Sequence, residues 1–379
     1  MDDREVQPPC QPTPEPADQG PAKVGPLGRP QRRVLPSRVE VPEVGVEPGL
    51  RFACLLDGRG GARHLNWAEA ERWQPADGVM WIHLERDHPH TRQWLLTGSG
   101  LDPVIGEALL AEESRPRVEL VDDDELLIVL RGISRIGEGV ESEMGAKGVD
   151  FVPVHLWIDG HRLVSLRDRD HQLGALRDIR NAHALGKGPI RPGDLLVKIA
   201  DKIVKDLEPV LDNMDEEVDR LEDELFDHGN ISEYVRGHLS NLRRQSVHLR
   251  RYLAPQRDAL NRLQNEDVSW LTERDRSHLR EVTDKVMRYI EYLEAIRDRA
   301  TILHEDLAGL VHEQIARTSN RLTAMAALLL PPSLIAGLLG MNVGGIPGSS
   351  DPYGFFEVAG VAVGASALVF AVLRYMKWV

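Results

Sequence analysis

The chain has 379 residues, 42% of them hydrophobic, and a formal net charge of −14. It can bury a sizeable core, but it lacks the clustered Lys and Arg that a phosphate backbone requires, so nucleic acid is excluded as a partner. Cys10 and Cys54 are the only cysteines, which rules out a disulfide framework or a thiolate metal cluster and suits a reducing compartment.

In chain order, residues 1–48 hold nearly half of the prolines among Gln, Glu and Gly, the composition of a disordered lead-in rather than of a signal peptide. Residues 49–190 read as an α/β domain. Short apolar runs at 50–56, 79–84, 125–130 and 152–158 predict strands, with helical stretches such as 91–96 between them. His88-Pro89-His90 in this part reads as a polar turn in preference to a zinc site.

From 191 to 316 the period is helical, with Pro209, Gly229 and Pro255 as the expected interruptions. Residues 194–226 form an acidic amphipathic stretch and 230–263 an arginine-rich one, expected as antiparallel arms. The acids between Asp212 and Asp227 are expected to be a solvated face paired with Arg243, Arg244, Arg250 and Arg251. Beyond residue 275, Val286, Ile290, Leu293, Ile296, Ala300, Leu303, Leu307 and Leu310 recur at spacings of 3 and 4, as in a coiled coil. This predicts a stalk running unbroken into the C-terminal region, with its seam available for self-association.

Residues 317–379 form the last region, with membrane helices expected at about 320–341 and 355–375. Residues 322–341 contain no charge and are long enough to cross a hydrocarbon core. The short link makes the pair a hairpin. Arg317 and Arg321 precede the first span, Arg374 and Lys377 follow the second, and residues 343–354 contain neither Lys nor Arg, so both termini are expected to be cytoplasmic.

Reading every third or fourth residue of the first span gives Ser319, Thr323, Ala326, Leu330, Ser333, Gly337 and Gly340, a stripe of mostly small or weakly polar side chains. Taken alone the stripe favours close helix packing, and a narrow watery path is the other reading. Two helices cannot enclose a pore, so a path needs several copies about an axis. Gly360-x-x-x-Gly364 in the second span is expected to pack that helix against the outside of the first.

Gly340-Met341-Asn342 ends the first span and continues as Val343-Gly344-Gly345-Ile346-Pro347-Gly348. Here the chain resembles the CorA family of divalent-cation transporters, whose signature is Gly-Met-Asn between two C-terminal spans. It is similar most of all to the ZntB zinc-transporter branch, in the Gly-Gly-Ile-Pro-Gly continuation, in Leu253-Ala254-Pro255-Gln256-Arg257 and in the basic tail near Lys377-Trp378. Met341 is the wider family's residue within the zinc branch's context. The resemblance implies an α+β membrane protein: a cytoplasmic α/β domain, a long helical stalk and two transmembrane helices, assembled as a funnel-shaped homopentamer in the inner membrane.

In that assembly the first span lines the pore and the second lies outside it. Asn342 then faces the hydrated metal through ion-bound water, Ser319, Thr323, Ala326, Ser333 and Gly337 line the route, and Leu322 and Leu330 narrow it. The expected cargo is Zn²⁺, with Mg²⁺, Co²⁺ or Ni²⁺ as the alternative, and no permanently bound cofactor is expected. The physical reason is legible in the residues. A ring of neutral amide and carbonyl oxygens accepts hydrogen bonds from an ion's water shell without stripping it, and binds weakly enough to release the ion.

The sequence contains no phosphate loop for an ATP-driven pump, and the only carboxylate of the second span is Glu357. Two readings of other classes remain: a membrane-anchored coiled-coil scaffold, and a tethered enzyme. No nucleophile motif supports the latter, and the chain is not expected to be an enzyme.

Overall fold

The computed structural model describes residues 47–112, 115–135, 149–168, 173–228, 233–341 and 352–375. The proline-rich lead-in up to residue 46, Asn342 and Lys377 lie outside the described residues.

Seven strands, β1 (Leu50–Leu56), β2 (Ala62–Leu65), β3 (Met80–Glu85), β4 (Arg117–Asp122), β5 (Glu125–Arg135), β6 (Val149–Ile158) and β7 (Arg162–Arg167), form one sheet in the order β2-β1-β3-β7-β6-β5-β4. Only the central β3/β7 pair is parallel. The central strands carry near-continuous apolar runs because helices cover both faces of the sheet. On one face α1 (Trp67–Arg72), α2 (Pro89–Gln93), a π-turn and α3 (Pro103–Leu110) bury Met80, Ile82, Leu84, Trp157 and Val164. On the other face α4 (Gly174–Ala184) and α5 (Pro192–Lys205) cover Trp81, Ile128, Leu130 and Leu156.

The four strand predictions hold, and the sheet adds β2, β4 and β7. The stretch 91–96 falls partly in α2 and partly in the π-turn. His88 Nδ1 accepts from the His90 N–H at 3.2 Å as the N-cap of α2, so the His-Pro-His turn caps a helix.

The long helices follow: α6 (Glu208–His228), α7 (Glu233–Asn265) and α8 (Glu273–Leu339). The apolar cluster on the α4/α5 face continues through Leu211, Val218, Leu225, Leu239, Leu249 and Leu260 to the α8 seam, so sheet and long helices share one core. Arg191–Asp275, Asp201–Lys285 and Asp215–Arg299 are ion pairs with a constant offset of 84 residues. Helices α5 and α6 therefore run parallel to α8 and in step with it.

Helix α7 runs antiparallel to α6, as Glu217–His238 shows, and docks on the sheet through fully buried Gln256, whose Oε1 accepts from the Arg131 N–H at 2.7 Å. Three expectations are corrected. Pro255 lies inside α7 and does not interrupt it. The α8 seam from Val286 to Leu307 is buried against this chain's own α6 and α7, so it is not free for self-association. The acids of α6 are gathered by Arg299, which meets Asp215, Asp219 and Glu222 at 2.6–3.2 Å, while Arg250 pairs with Glu294 of α8.

The start of α8 is held rigidly. Thr272 and Asp275 form a capping box, Asp275 is 2% exposed, and Arg191 meets its carboxylate at 3.3 Å. Asp124, in the β4–β5 turn, accepts from both the N–H and the hydroxyl of Ser269 and so fixes the link between α7 and α8 on the sheet edge.

Candidate site on the paired C-terminal helices

Past Leu310 helix α8 leaves the core, and residues 312–323 are exposed around the whole helix. The helix continues without a break through 322–339, with most of its large apolar residues uncovered: Leu329, Leu330 and Leu334 are 66%, 69% and 59% exposed. Helix α9 (Gly354–Tyr375), about 33 Å long at 1.5 Å per residue, presents Phe355, Phe356, Val363 and Leu368 outward in the same way. So much aliphatic surface is stable only in hydrocarbon or against other apolar surface.

The two helices pack on each other. On α8 the covered side consists of buried Ala324 and half-buried Ala327, Leu328, Pro331, Pro332 and Ile335. On α9 it consists of Val358, Ala359, Ala362, Ala365, Ser366, Val369 and Leu373. Small residues on both sides let the backbones approach, and the Ser366 hydroxyl reaches the Leu328 carbonyl at 3.4 Å.

The predicted stripe is elsewhere. Ser319, Leu322, Thr323, Ala326, Leu330, Ser333, Gly337 and Gly340 are all exposed. At about 100° per residue their mean direction is roughly opposite the side that meets α9. The small residues of the stripe are therefore not used for packing within the chain. Gly340 ends α8, its N–H donating to the Ala336 carbonyl at 2.8 Å, and Met341, half exposed, follows it.

The glycine pair of the second span is corrected. Gly360 and Gly364 are exposed, and a Cβ at either would meet nothing within 4 Å, so α9 packs on α8 through its Ala, Val and Ser side and not through this motif. Of the basic flank, Arg317, Arg321 and Arg374 are exposed, with Arg317 paired to Glu313 at 2.6 Å. No group of three or more His, Cys, Asp or Glu is placed to hold a metal among the described residues.

An N-terminal α/β domain, a 67-residue helix leading into a first apolar span, and a second apolar span packed on it are the layout of a chain with two helices long and apolar enough to cross a membrane. The model of the CorA-like Mg²⁺ transporter protein family matches residues 76–375, and the chain belongs to that family. It is 32% identical over 338 residues to the divalent cation transporter CmaX of Pseudomonas aeruginosa, covering 89% of this chain and 98% of that protein. It is 33% identical over 315 residues to the zinc transport protein ZntB of Enterobacter sp. (strain 638), covering 83% and 90%. The structure of full-length CmaX superposes with a TM-score of 0.74 at 31% identity, covering 89% of this chain and all of that one. Divalent-cation transport of the CorA, ZntB and CmaX type follows from this membership.

Two contributors escaped the sequence reading. Arg299 organises the acidic helix, and no local spacing in the sequence pairs it with Asp215, 84 residues earlier. Ser366, the one Ser or Thr of α9, meets a helix that carries two adjacent prolines, and that proline pair was its signal.

Proposed function

We propose that several copies of the chain, five by family resemblance, surround an axis in the cytoplasmic membrane and move a hydrated divalent cation, Zn²⁺ before Mg²⁺, along the stripe from Gly340 to Ser319. One observation carries this reading: the stripe lies opposite the α9 side and is uncovered. Hydroxyls at Ser319, Thr323 and Ser333 are poorly placed against lipid and well placed against water.

In this arrangement the amides of Asn342 and the carbonyls of Gly340 form the outer mouth and hold the ion through its water shell, and Leu330 and Leu322 are hydrophobic narrowings. The N-terminal domain and both termini lie in the cytoplasm, in accord with Arg317, Arg321, Arg374 and Lys377 flanking the spans. The preference for zinc rests on the ZntB relative and on the Gly-Gly-Ile-Pro-Gly continuation.

Reconstituted protein loaded into vesicles tests the reading. Asn342→Ala is expected to abolish entry of Zn²⁺ and Mg²⁺ alike while leaving assembly intact; undiminished flux refutes the mouth assignment. Zn²⁺ entering faster than Mg²⁺ supports the cargo, and the reverse order overturns it. Intact wild-type assemblies that pass no divalent cation would favour the scaffold.

A further inference from the structure

Pro331 and Pro332 stand in the middle of the first span, inside α8. Neither has a backbone N–H, so the carbonyls of Ala327 and Leu328, four residues earlier, lose the donors that an unbroken helix gives them. Within a bilayer no water replaces such a donor, and a proline is tolerated there when a neighbouring helix supplies a hydroxyl to the freed carbonyl.

Helix α9 supplies one. The Ser366 Oγ lies 3.4 Å from the Leu328 carbonyl oxygen and 3.1 Å from that of Ala362, one turn back on its own helix. Serine has a single hydroxyl proton, so the two acceptors compete for it. Ala362 is the nearer acceptor in this conformation, and a few tenths of an ångström of closer approach between the spans reverses the order.

The location gives this contact a consequence. The proline pair lies between Leu330 and Ser333, two neighbours in the exposed stripe, and a proline pair is where a helix bends most easily. We propose that Ser366 is a positioning residue: its hydroxyl tethers the second span to the first at the carbonyl that Pro332 frees, and so sets the bend that places Leu330 relative to Ser333. When α8 bends away from α9 the hydroxyl passes to Ala362, and when the spans close it returns to Leu328. The effect on transport rests on the pathway reading above; the tether itself does not.

A double-mutant cycle on the full-length protein tests it, with Ser366→Ala, Pro332→Ala and their combination, and with Ser366→Thr as the conservative variant. Thermal unfolding in detergent and Mg²⁺ and Zn²⁺ entry into proteoliposomes are both read. Ser366→Ala is expected to lower the unfolding temperature and to cut flux at least threefold, and Ser366→Thr to restore both. With alanine at 332 the backbone N–H returns to Leu328, so adding Ser366→Ala then changes flux less than 1.5-fold and leaves the unfolding temperature in place.

Equal effects of Ser366→Ala with and without Pro332 overturn the tether, because the hydroxyl would then serve only its own helix. If the wild type passes no divalent cation, the pathway reading fails and the transport half of this proposal with it. Non-additive unfolding temperatures would still support the tether, and additive ones would overturn it.

Discussion

Lowering the pH from 7 to 5 is expected to cost the folded chain about 4 kcal/mol, from two buried histidines and a worked linkage. His83 is 4% exposed, with Nδ1 2.9 Å from the Ser165 hydroxyl, and burial together with Arg167 pushes its pKa down to about 3. His155 is 1% exposed, and burial together with Arg86 pushes its pKa down to about 4. Both fold neutral, whereas the unfolded chain protonates them near pH 6.5. Their contribution is therefore complete above pH 6.5 and declines as the pH falls toward their folded values.

At pH 5 both folded values still lie below the ambient pH, so each loss is set by the unfolded value alone, about 2 kcal/mol per histidine. Asp57, Glu69 and Asp124, held below the ordinary carboxylate range mainly by hydrogen bonds to Arg59, Asn66 and Ser269, lose their contribution only below about pH 4 and do not interfere. Urea titration of the full chain in detergent, followed by the fluorescence of Trp81, whose Nε1 donates to the same Ser165 hydroxyl at 3.0 Å, reads the loss. His83→Gln is expected to remove about 2 kcal/mol of the difference between pH 7 and pH 5, whatever it does at pH 7, while His183, buried and likewise lowered by burial, adds a loss in the same direction that the variant leaves in place. A pH difference identical in His83→Gln, His155→Gln and wild type would refute the reasoning.

Two further outcomes test the packing that carries the long helix. Arg299→Ala leaves Asp215, Asp219 and Glu222 facing one another and should cost about 1–2 kcal/mol in a urea titration, shrinking in 1 M salt because the side chain is 39% exposed. Gly160 has φ +84° and a Cβ there would lie 2.7 Å from Trp270 Cδ1, so Gly160→Ala should lower stability by about 1–3 kcal/mol and weaken the Trp270 Nε1 hydrogen bond to the Asp124 carbonyl, visible as a shifted tryptophan emission.

The spans and the strands β1, β3, β5 and β6 were legible because an apolar surrounding demands apolar runs, and that pattern survives in one sequence; β7, buried in the middle of the sheet, was missed because Ser165 breaks its short apolar run. The strands β2, with Arg63 and His64 outward, and β4, with Glu119 to Asp122 exposed, are edge strands in which polar residues break the signal. The heptad spacing of α8 told truly that a face is buried. It could not say by what, and the answer is the Leu239, Leu242, Leu249 and Leu253 side of α7 in the same chain. Gly360 and Gly364 failed for a related reason: small residues at a spacing of four mark a face able to pack, while the face of α9 that does meet α8 is lined by alanines and Ser366. The stripe of the first span was legible as a face, and its direction, opposite α9, required the second helix to be placed.

Cysteine accessibility along the first span tests the central claim most directly. Cys54 is 2% exposed with its thiol pushed up to about 12 by burial, so a Cys10→Ser background is silent to thiol reagents. Single cysteines at Ala326, Ser333 and Gly337 are compared with cysteines at Ala327 and Ile335, and divalent-cation entry into proteoliposomes is read before and after a small water-soluble cationic thiol reagent. Modification and block at the first three positions with none at the last two is the expected result; labelling and block confined to 327 and 335, with 326, 333 and 337 inert, contradicts an aqueous path along the stripe.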